Sequence, residues 1–324
     1  MTRSMTRWTL AGCMALAALS ALSVGVAEAG KPGGGGLIPP GTGTIYFESG
    51  GARWSMNADG SGKTALPTSV HGVPSNQVHG GAHWFVSYSY GQCHAIREDG
   101  SSDVQLWSDS TGGHAQWGRD DSFISFIGTD APSGSPVRLF RIDIAFDANG
   151  VPSAAGGRVV VSGIAANNGF PHTWSPSADR VAWISSDSLN VTTVATGATT
   201  SIASDTGYAG GGLAWSPDGT RIVFGTGKEI HTIDPSGANR RIIVQDQSGG
   251  GSNVDTVATD WSPDSAAIVY GRNVYELQRY REYHRGPWSY DSVLVDADVY
   301  RVSADGSATQ NLTSGSPASP IAWR

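Results

Sequence analysis

The sequence predicts an all-β fold, a closed β-propeller of six four-stranded blades, and three observations carry that prediction. A tryptophan-centred repeat recurs along the chain, glycine is unusually frequent, and no stretch beyond residue 30 keeps a helical apolar period for three turns. Glycine supplies 44 of the 324 residues while only 15% are charged. This is about twice the usual glycine share, and it suits many short strands joined by turns that need positive φ. Aromatic and β-branched runs such as Arg221-Ile222-Val223-Phe224 supply the strands.

The repeat sets the order of the elements. Four segments align on a tryptophan and a residue nine positions later: Trp117-GRDDSFIS-Phe126, Trp174-SPSADRVA-Trp183, Trp215-SPDGTRIV-Phe224 and Trp261-SPDSAAIV-Tyr270. Each reads as strand, tight turn, strand, with Pro presetting φ, Asp bonding the local backbone and Gly taking the left-handed position. A second turn recurs downstream as Asn57-Ala-Asp59-Gly60, Arg97-Glu-Asp99-Gly100, Asp147-Ala-Asn149-Gly150, Asp234-Pro-Ser-Gly237 and Ser303-Ala-Asp305-Gly306. Two hairpins per unit make one four-stranded blade.

The chain ends at Pro320-Ile321-Ala322-Trp323-Arg324, a first strand with nothing after it, and the repeats begin at Thr44-Ile45-Tyr46-Phe47, a second strand with nothing before it. Pairing the two completes a blade and removes an exposed edge. The blades then fall at 44–67 with 318–324, 68–110, 111–162, 163–204, 205–246 and 247–315. The second lacks the Trp-Ser-Pro-Asp-Gly strand and places Trp84 in its second strand instead. Seven blades is the competing count.

The segments WSPDGTRIVF and IHTIDPSGANRRI resemble the TolB-type propeller repeat, which is similar to the WD-type repeat but has its own turn. The resemblance covers nearly all of residues 44–324 and implies a propeller without the N-terminal α/β domain of TolB itself. It is specific for fold and poor for function.

Residues 1–29 read as a secretory signal peptide: Arg3 and Arg7, an apolar run over 10–26, then Ala27-Glu28-Ala29 as the cleavage site. The run is short for a membrane span, so stable membrane insertion is not expected. Leu10-Ala11-Gly12-Cys13 imitates a lipoprotein box but precedes the apolar run. Residues 30–43, rich in Gly and Pro, form a spacer. The expected location is the bacterial periplasm or outside the cell. Cleavage removes two arginines and one glutamate and takes the net charge from −7 to −8. Cys93 is then the only cysteine, on a strand, where a buried apolar role is expected. With only Lys31, Lys63 and Lys228 as lysines, no basic face for nucleic acid is visible.

Catalytic motifs are scarce. There is no Gly-x-Ser-x-Gly elbow and no His-Glu-x-x-His helix, and no catalytic residue is assigned. Gly60-Ser-Gly62-Lys63-Thr64 resembles the tail of a phosphate loop but sits in a hairpin turn. Asn57-x-Asp59-Gly60 and Asp147-x-Asn149-Gly150 resemble cation-loop fragments without the remaining acidic ligands, and read as ordinary turns. No cofactor is required, although His114, His172 and Asp260 precede inner-strand tryptophans and could bring a divalent metal to the channel. The structural tryptophans are Trp117, Trp174, Trp215, Trp261 and Trp323.

A long insertion between Tyr270 and Val299 carries Tyr275, Tyr280, Arg281, Tyr283, Arg285, Trp288 and Tyr290. Tyrosine, tryptophan and arginine dominate binding hot spots. The expected function is recognition of a protein or a cell-envelope or glycan ligand through the loop face that bears this insertion. The competing explanation is that the insertion merely lengthens two strands and packs on its neighbours. The rival function is a propeller-fold carbohydrate-active lyase or hydrolase using a channel metal. N-terminal sequencing of exported protein should begin at Gly30, and a mature form that retains Arg7 would contradict the leader reading.

Overall fold

The computed structural model describes residues 42–108, 112–129, 137–164, 171–185, 187–206, 212–245, 252–280, 289–314 and 317–324. They form six antiparallel sheets and no helix. Blade 1 holds β1 (Thr44–Ser49), β2 (Ala52–Asn57) and β3 (Thr64–Ala65), completed by β25 (Ala318–Trp323) as its inner strand. Blade 2 runs β4 (Val73–Pro74), β5 (Trp84–Ser89), β6 (Gln92–Arg97), β7 (Asp103–Ser108). Blade 3 runs β8 (Gly112–Trp117), β9 (Phe123–Thr129), β10 (Val137–Phe146), and its outer edge is split between β11 (Pro152–Ala154) and β12 (Val159–Val160). Blade 4 has β13 (His172–Trp174), β14 (Arg180–Ser185), β15 (Ser188–Thr193), β16 (Thr199–Ala203). Blade 5 has β17 (Leu213–Trp215), β18 (Ile222–Gly225), β19 (Glu229–Ile233), β20 (Arg241–Gln245). Blade 6 has β21 (Ser252–Trp261), β22 (Ala267–Tyr280), β23 (Ser289–Ser303), β24 (Thr309–Asn311).

The core is distributed around the ring. Among the described residues six buried apolar clusters occur, and each is shared by two neighbouring blades. Side chains alternate across a strand, so Ala182 and Ile184 face blade 5 while Trp183 faces blade 3. Both faces of a blade are therefore buried, which explains continuous apolar runs such as Ile222-Val223-Phe224. The inner-strand tryptophans reach back to the preceding blade. Trp117 Nε1 donates to Trp84 O at 2.9 Å, Trp174 Nε1 to Ser125 Oγ at 2.9 Å and Trp261 Nε1 to Ala214 O at 3.2 Å. Arg180 and Arg221 of the preceding blades lie over Trp215 and Trp261, at 5.0 and 4.8 Å from the ring centroids.

The two recurrent turns behave as their residues demand. The fourth residue after each of the four aligned tryptophans has positive φ: Asp121 (59°), Ala178 (56°), Gly219 (75°) and Ser265 (60°). In the second turn Gly60, Gly100, Gly150, Gly237 and Gly306 all take positive φ. Gly197 does the same in blade 4 (68°), although its Ala-Thr-Gly sequence hid it. The cation-loop fragments are ordinary turns: Asp59 Oδ1 accepts from Ser61 N at 2.9 Å, and Asp147 Oδ1 from Asn149 N and Val151 N at 2.8 Å. Cys93 is buried and free, and burial pushes its thiol up to about 12.

Closure occurs through β25. It pairs antiparallel with β1 in the register Ile45↔Trp323 to Ser49↔Ala318. Trp323 is fully buried, in the cluster that joins blades 6 and 1, and its Nε1 donates to Thr42 O at 3.0 Å. Thr44 N donates to Arg324 O, and Arg324 N returns a bond to Thr44 O. Gly43 is required here, because a Cβ would stand 2.3 Å from Arg324 O.

Blade 6 departs from a loop-like reading of its insertion. Residues 271–280 and 289–298 continue β22 and β23 as a paired hairpin from Ala267↔Ser303 to Tyr280↔Ser289. Most of the insertion is thus sheet, since the backbone groups of the two segments satisfy one another.

Deletion of 318–324 should damage the fold far beyond its size. It empties the Trp323 pocket, where loss of an aromatic side chain alone costs about 3–5 kcal/mol, and it exposes the edge of β1. A truncated protein that melts like the intact one would contradict closure through β25.

Candidate functional site

The channel is built by the inner strands. Because alternate residues face opposite ways, the tryptophan enters the blade interface while the residue before it turns to the channel. Gln116, Thr173, Ala214 and Asp260 occupy that position in blades 3 to 6 and all line a cavity of about 170 Å³. Asn76 and Arg119 join them from the turns that follow β4 and β8, and Arg324 from the residue after β25. All six blades contribute to this one space, with edges of Trp117, Trp174 and Trp215 in its wall.

Its polar groups are unequally satisfied. Asp260 Oδ1 accepts from Trp261 N at 2.9 Å, and Oδ2 accepts from Trp323 N at 3.2 Å and from Arg324 Nη1. Both side chains of this ion pair are only 10% exposed. Arg324 Nε also donates to Pro74 O at 3.2 Å, so one side chain links blades 6, 1 and 2. Gln116 Nε2 donates to His172 O at 2.8 Å, and Asn76 Nδ2 donates to Gly118 O at 2.8 Å and to Asp121 Oδ1 at 2.9 Å. Among the described residues two guanidiniums and one carboxylate line the cavity, and the buried Asp121 carboxylate also acts on Arg119. Burial draws the Arg119 guanidinium below its ordinary pKa; Asp260 and, less strongly, Asp121 oppose that shift, and Arg324 adds to it.

The structure does not bring the three candidate metal ligands together. Asp260 alone lines the cavity. His172 stands two residues before Trp174 and shares its face of β13, opposite the channel-lining Thr173, buried with Nε2 3.0 Å from Ser125 Oγ. His114 is exposed with φ 54°, at the irregularity between Gly113 and Gln116 in the β8–β9 pairing. Among the described residues, no group of three or more His, Cys, Asp or Glu is placed to hold a metal ion. His71, His79, His83 and His94 are spent on local bonds, with His79 Nε2 3.0 Å from Asp121 and His94 Nδ1 2.7 Å from Asp103.

Of the candidate recognition residues, Tyr275 is half-buried on β22, and Tyr280 and Tyr290 lie on the paired strands β22 and β23. Arg281, Tyr283, Arg285 and Trp288 fall outside the described residues. Leu294 and Val295, on β23 of the same hairpin, are 46% and 45% exposed. Sequence reasoning passed over Gln116, Arg119, Thr173 and Arg324. The available signal was the repeat column just before tryptophan, together with the departures from Ser-Pro in the turn that follows it. Arg119 and Asn76 both come from turns between the first and second strands of their blades.

No family model matches the chain, and no curated protein sequence does either. Among solved structures, the chain is similar to one assigned as TolB from Agrobacterium tumefaciens, at 14% identity and a TM-score of 0.53, over 84% of this chain and 89% of that one. It is also similar to an oligogalacturonate lyase from Vibrio parahaemolyticus (13% identity, 84% and 86% coverage, TM-score 0.41) and to one in complex with manganese (12%, 83% and 85%, 0.42). The first likeness supports the TolB-type propeller fold. The lyase likenesses carry no argument about reaction or metal.

Removing one member of a buried ion pair strands the other. Arg324→Gln and Asp260→Asn should each lower stability by about 3–5 kcal/mol in denaturant titrations, and the double variant should cost little more than either. Single variants indistinguishable from the intact protein would show that the pair does not clamp the ring.

Proposed function

We propose that this protein is an exported, non-enzymatic binding propeller that recognises a protein or cell-envelope ligand through the arm of blade 6. The observation that carries this reading is the β22–β23 hairpin. Its strands run 14 and 15 residues, whereas the corresponding central strands of blade 5 run 4 and 5. Nothing in the blade repeat requires that length, and the arm offers Leu294 and Val295 to solvent. Its sequence adds five aromatic residues and four arginines between 272 and 290. Aromatic side chains on a paired, rigid scaffold supply contact area with few rotatable bonds, so ordering costs on binding are small. Residues 1–29 provide the export signal in this reading. A metal-dependent carbohydrate-active enzyme would need ligands that converge in the channel, and of the three candidates only Asp260 lines it.

The arm can be shortened without disturbing the blade. Glu276 faces Val293 in the ladder, so replacing 277–292 by Asn-Gly leaves a two-residue hairpin of the favoured kind. This variant should melt within a few degrees of the intact protein and lose a partner that the intact protein captures from envelope extract and rebinds in purified form. Replacing Tyr283 and Trp288 together by alanine should weaken the same complex by about 2–4 kcal/mol, the hot-spot range. Unchanged binding by both variants, or collapse of the shortened protein, would overturn the assignment.

A further inference from the structure

Blade 3 breaks the repeat at one position. Two residues after the tryptophan, blades 4, 5 and 6 carry Pro176, Pro217 and Pro263, whereas blade 3 carries Arg119. Proline presets the turn and brings no polar side chain; arginine gives up that advantage and adds a cation beside the cavity. The turn needs no help from this side chain. Asp121, fully buried, accepts from Asn76 N, Asn76 Nδ2 and Gln77 N at 2.8, 2.9 and 2.7 Å. Gly118 packs so closely that a Cβ would lie 2.3 Å from the Phe123 ring. The backbone that carries Arg119 is therefore held on both sides.

The guanidinium itself is not. Among the described residues Arg119 makes no hydrogen bond or ion pair, although it is half-buried and lines the partly open cavity beside a second guanidinium. Arg324 uses Nε and Nη1 on Pro74 O, Asp260 and Trp323 O, and its Nη2 has no partner among the described residues. Leaving a desolvated cation unpaired is costly, and an anion placed against it offsets that cost.

We propose that the channel cavity is a binding site for a carboxylate group, gripped by Arg119 and seconded by Arg324. A guanidinium fork matches the planar carboxylate. The Thr173 hydroxyl already accepts from Trp215 N at 3.2 Å and keeps its own proton to donate. A monoanion faces the two guanidiniums with one charge, whereas a doubly charged phosphate would bring twice that charge toward Asp260 and Asp121, both of which already act on Arg119. Carbons attached to the carboxylate would lie against Trp117, Trp174 and Trp215. The carboxylate can belong to a free small acid or to an acidic side chain of a polypeptide. This site is separate from the blade 6 arm and stands whether or not the arm binds.

The three wall tryptophans make fluorescence the readout. At constant ionic strength, sodium acetate should give a saturable change in tryptophan emission and raise the melting temperature, and sodium chloride should do neither. Arg119→Gln should weaken acetate at least tenfold while melting no lower than the intact protein, and Arg119→Lys should retain part of the response. A blocked Gly-Glu-Gly peptide that binds tighter than acetate assigns the carboxylate to a polypeptide, and one that binds more weakly assigns it to a free acid. Absence of a saturable acetate response in the intact protein would overturn the proposal. So would phosphate binding as tightly as acetate, or an Arg119→Gln response equal to that of the intact protein.

Discussion

Everything else in this protein rests on the pairing of β25 with β1. A propeller blade buries both its faces against neighbours, so an open ring would leave two blade faces and two sheet edges uncovered at once. The chain avoids this by completing blade 1 from segments almost the full repeat region apart: Ile45 faces Trp323 and Ser49 faces Ala318. Trp323 fills the cluster between blades 6 and 1. Arg324 then ties Asp260 of blade 6 to the Pro74 carbonyl of blade 2 across the join. Around the rest of the ring the same work falls to the other inner-strand tryptophans, each packed with the preceding blade.

Closure also shapes the channel. Inner strands held on both sides cannot drift, so the residues preceding each tryptophan converge on one fixed cavity. Preorganisation of this kind lowers the ordering cost of binding. The polar residues there divide into two sets. Asp260 and most of Arg324 are consumed by the lock, while Arg119 sits on a turn that Asp121 has already secured and has no hydrogen-bond or ion-pair partner among the described residues.

The fold was legible because the repeated residues do repeated physical work. Trp117, Trp174, Trp215, Trp261 and Trp323 mark inner strands, and the turn glycines mark positive φ. Blade 2 escaped the pattern because β4 is only two residues long and Ser75 takes over, its Oγ accepting from Trp84 N at 3.0 Å. The site was less legible. Sequence proximity to a tryptophan grouped His114, His172 and Asp260, but strand alternation sends His172 to Ser125, and the irregularity in β8 leaves His114 exposed. Arg119 looked like ordinary turn variation, because nothing in one-dimensional spacing shows that a side chain lacks a partner. The insertion was ambiguous for a different reason: paired strands and loop share its composition, and only the register of β22 with β23 separates them.

Native-state hydrogen exchange tests the central role of closure most directly, because it reports the opening free energy of each element separately. If β25 locks the ring, the paired amides of β1 and β25 should exchange only through global unfolding. Their opening free energy should then equal that of the paired amides of β14 and β15 in blade 4, on the far side of the ring. Exchange of the β1 and β25 amides through a smaller, local opening, with blade 4 still protected, would contradict this account.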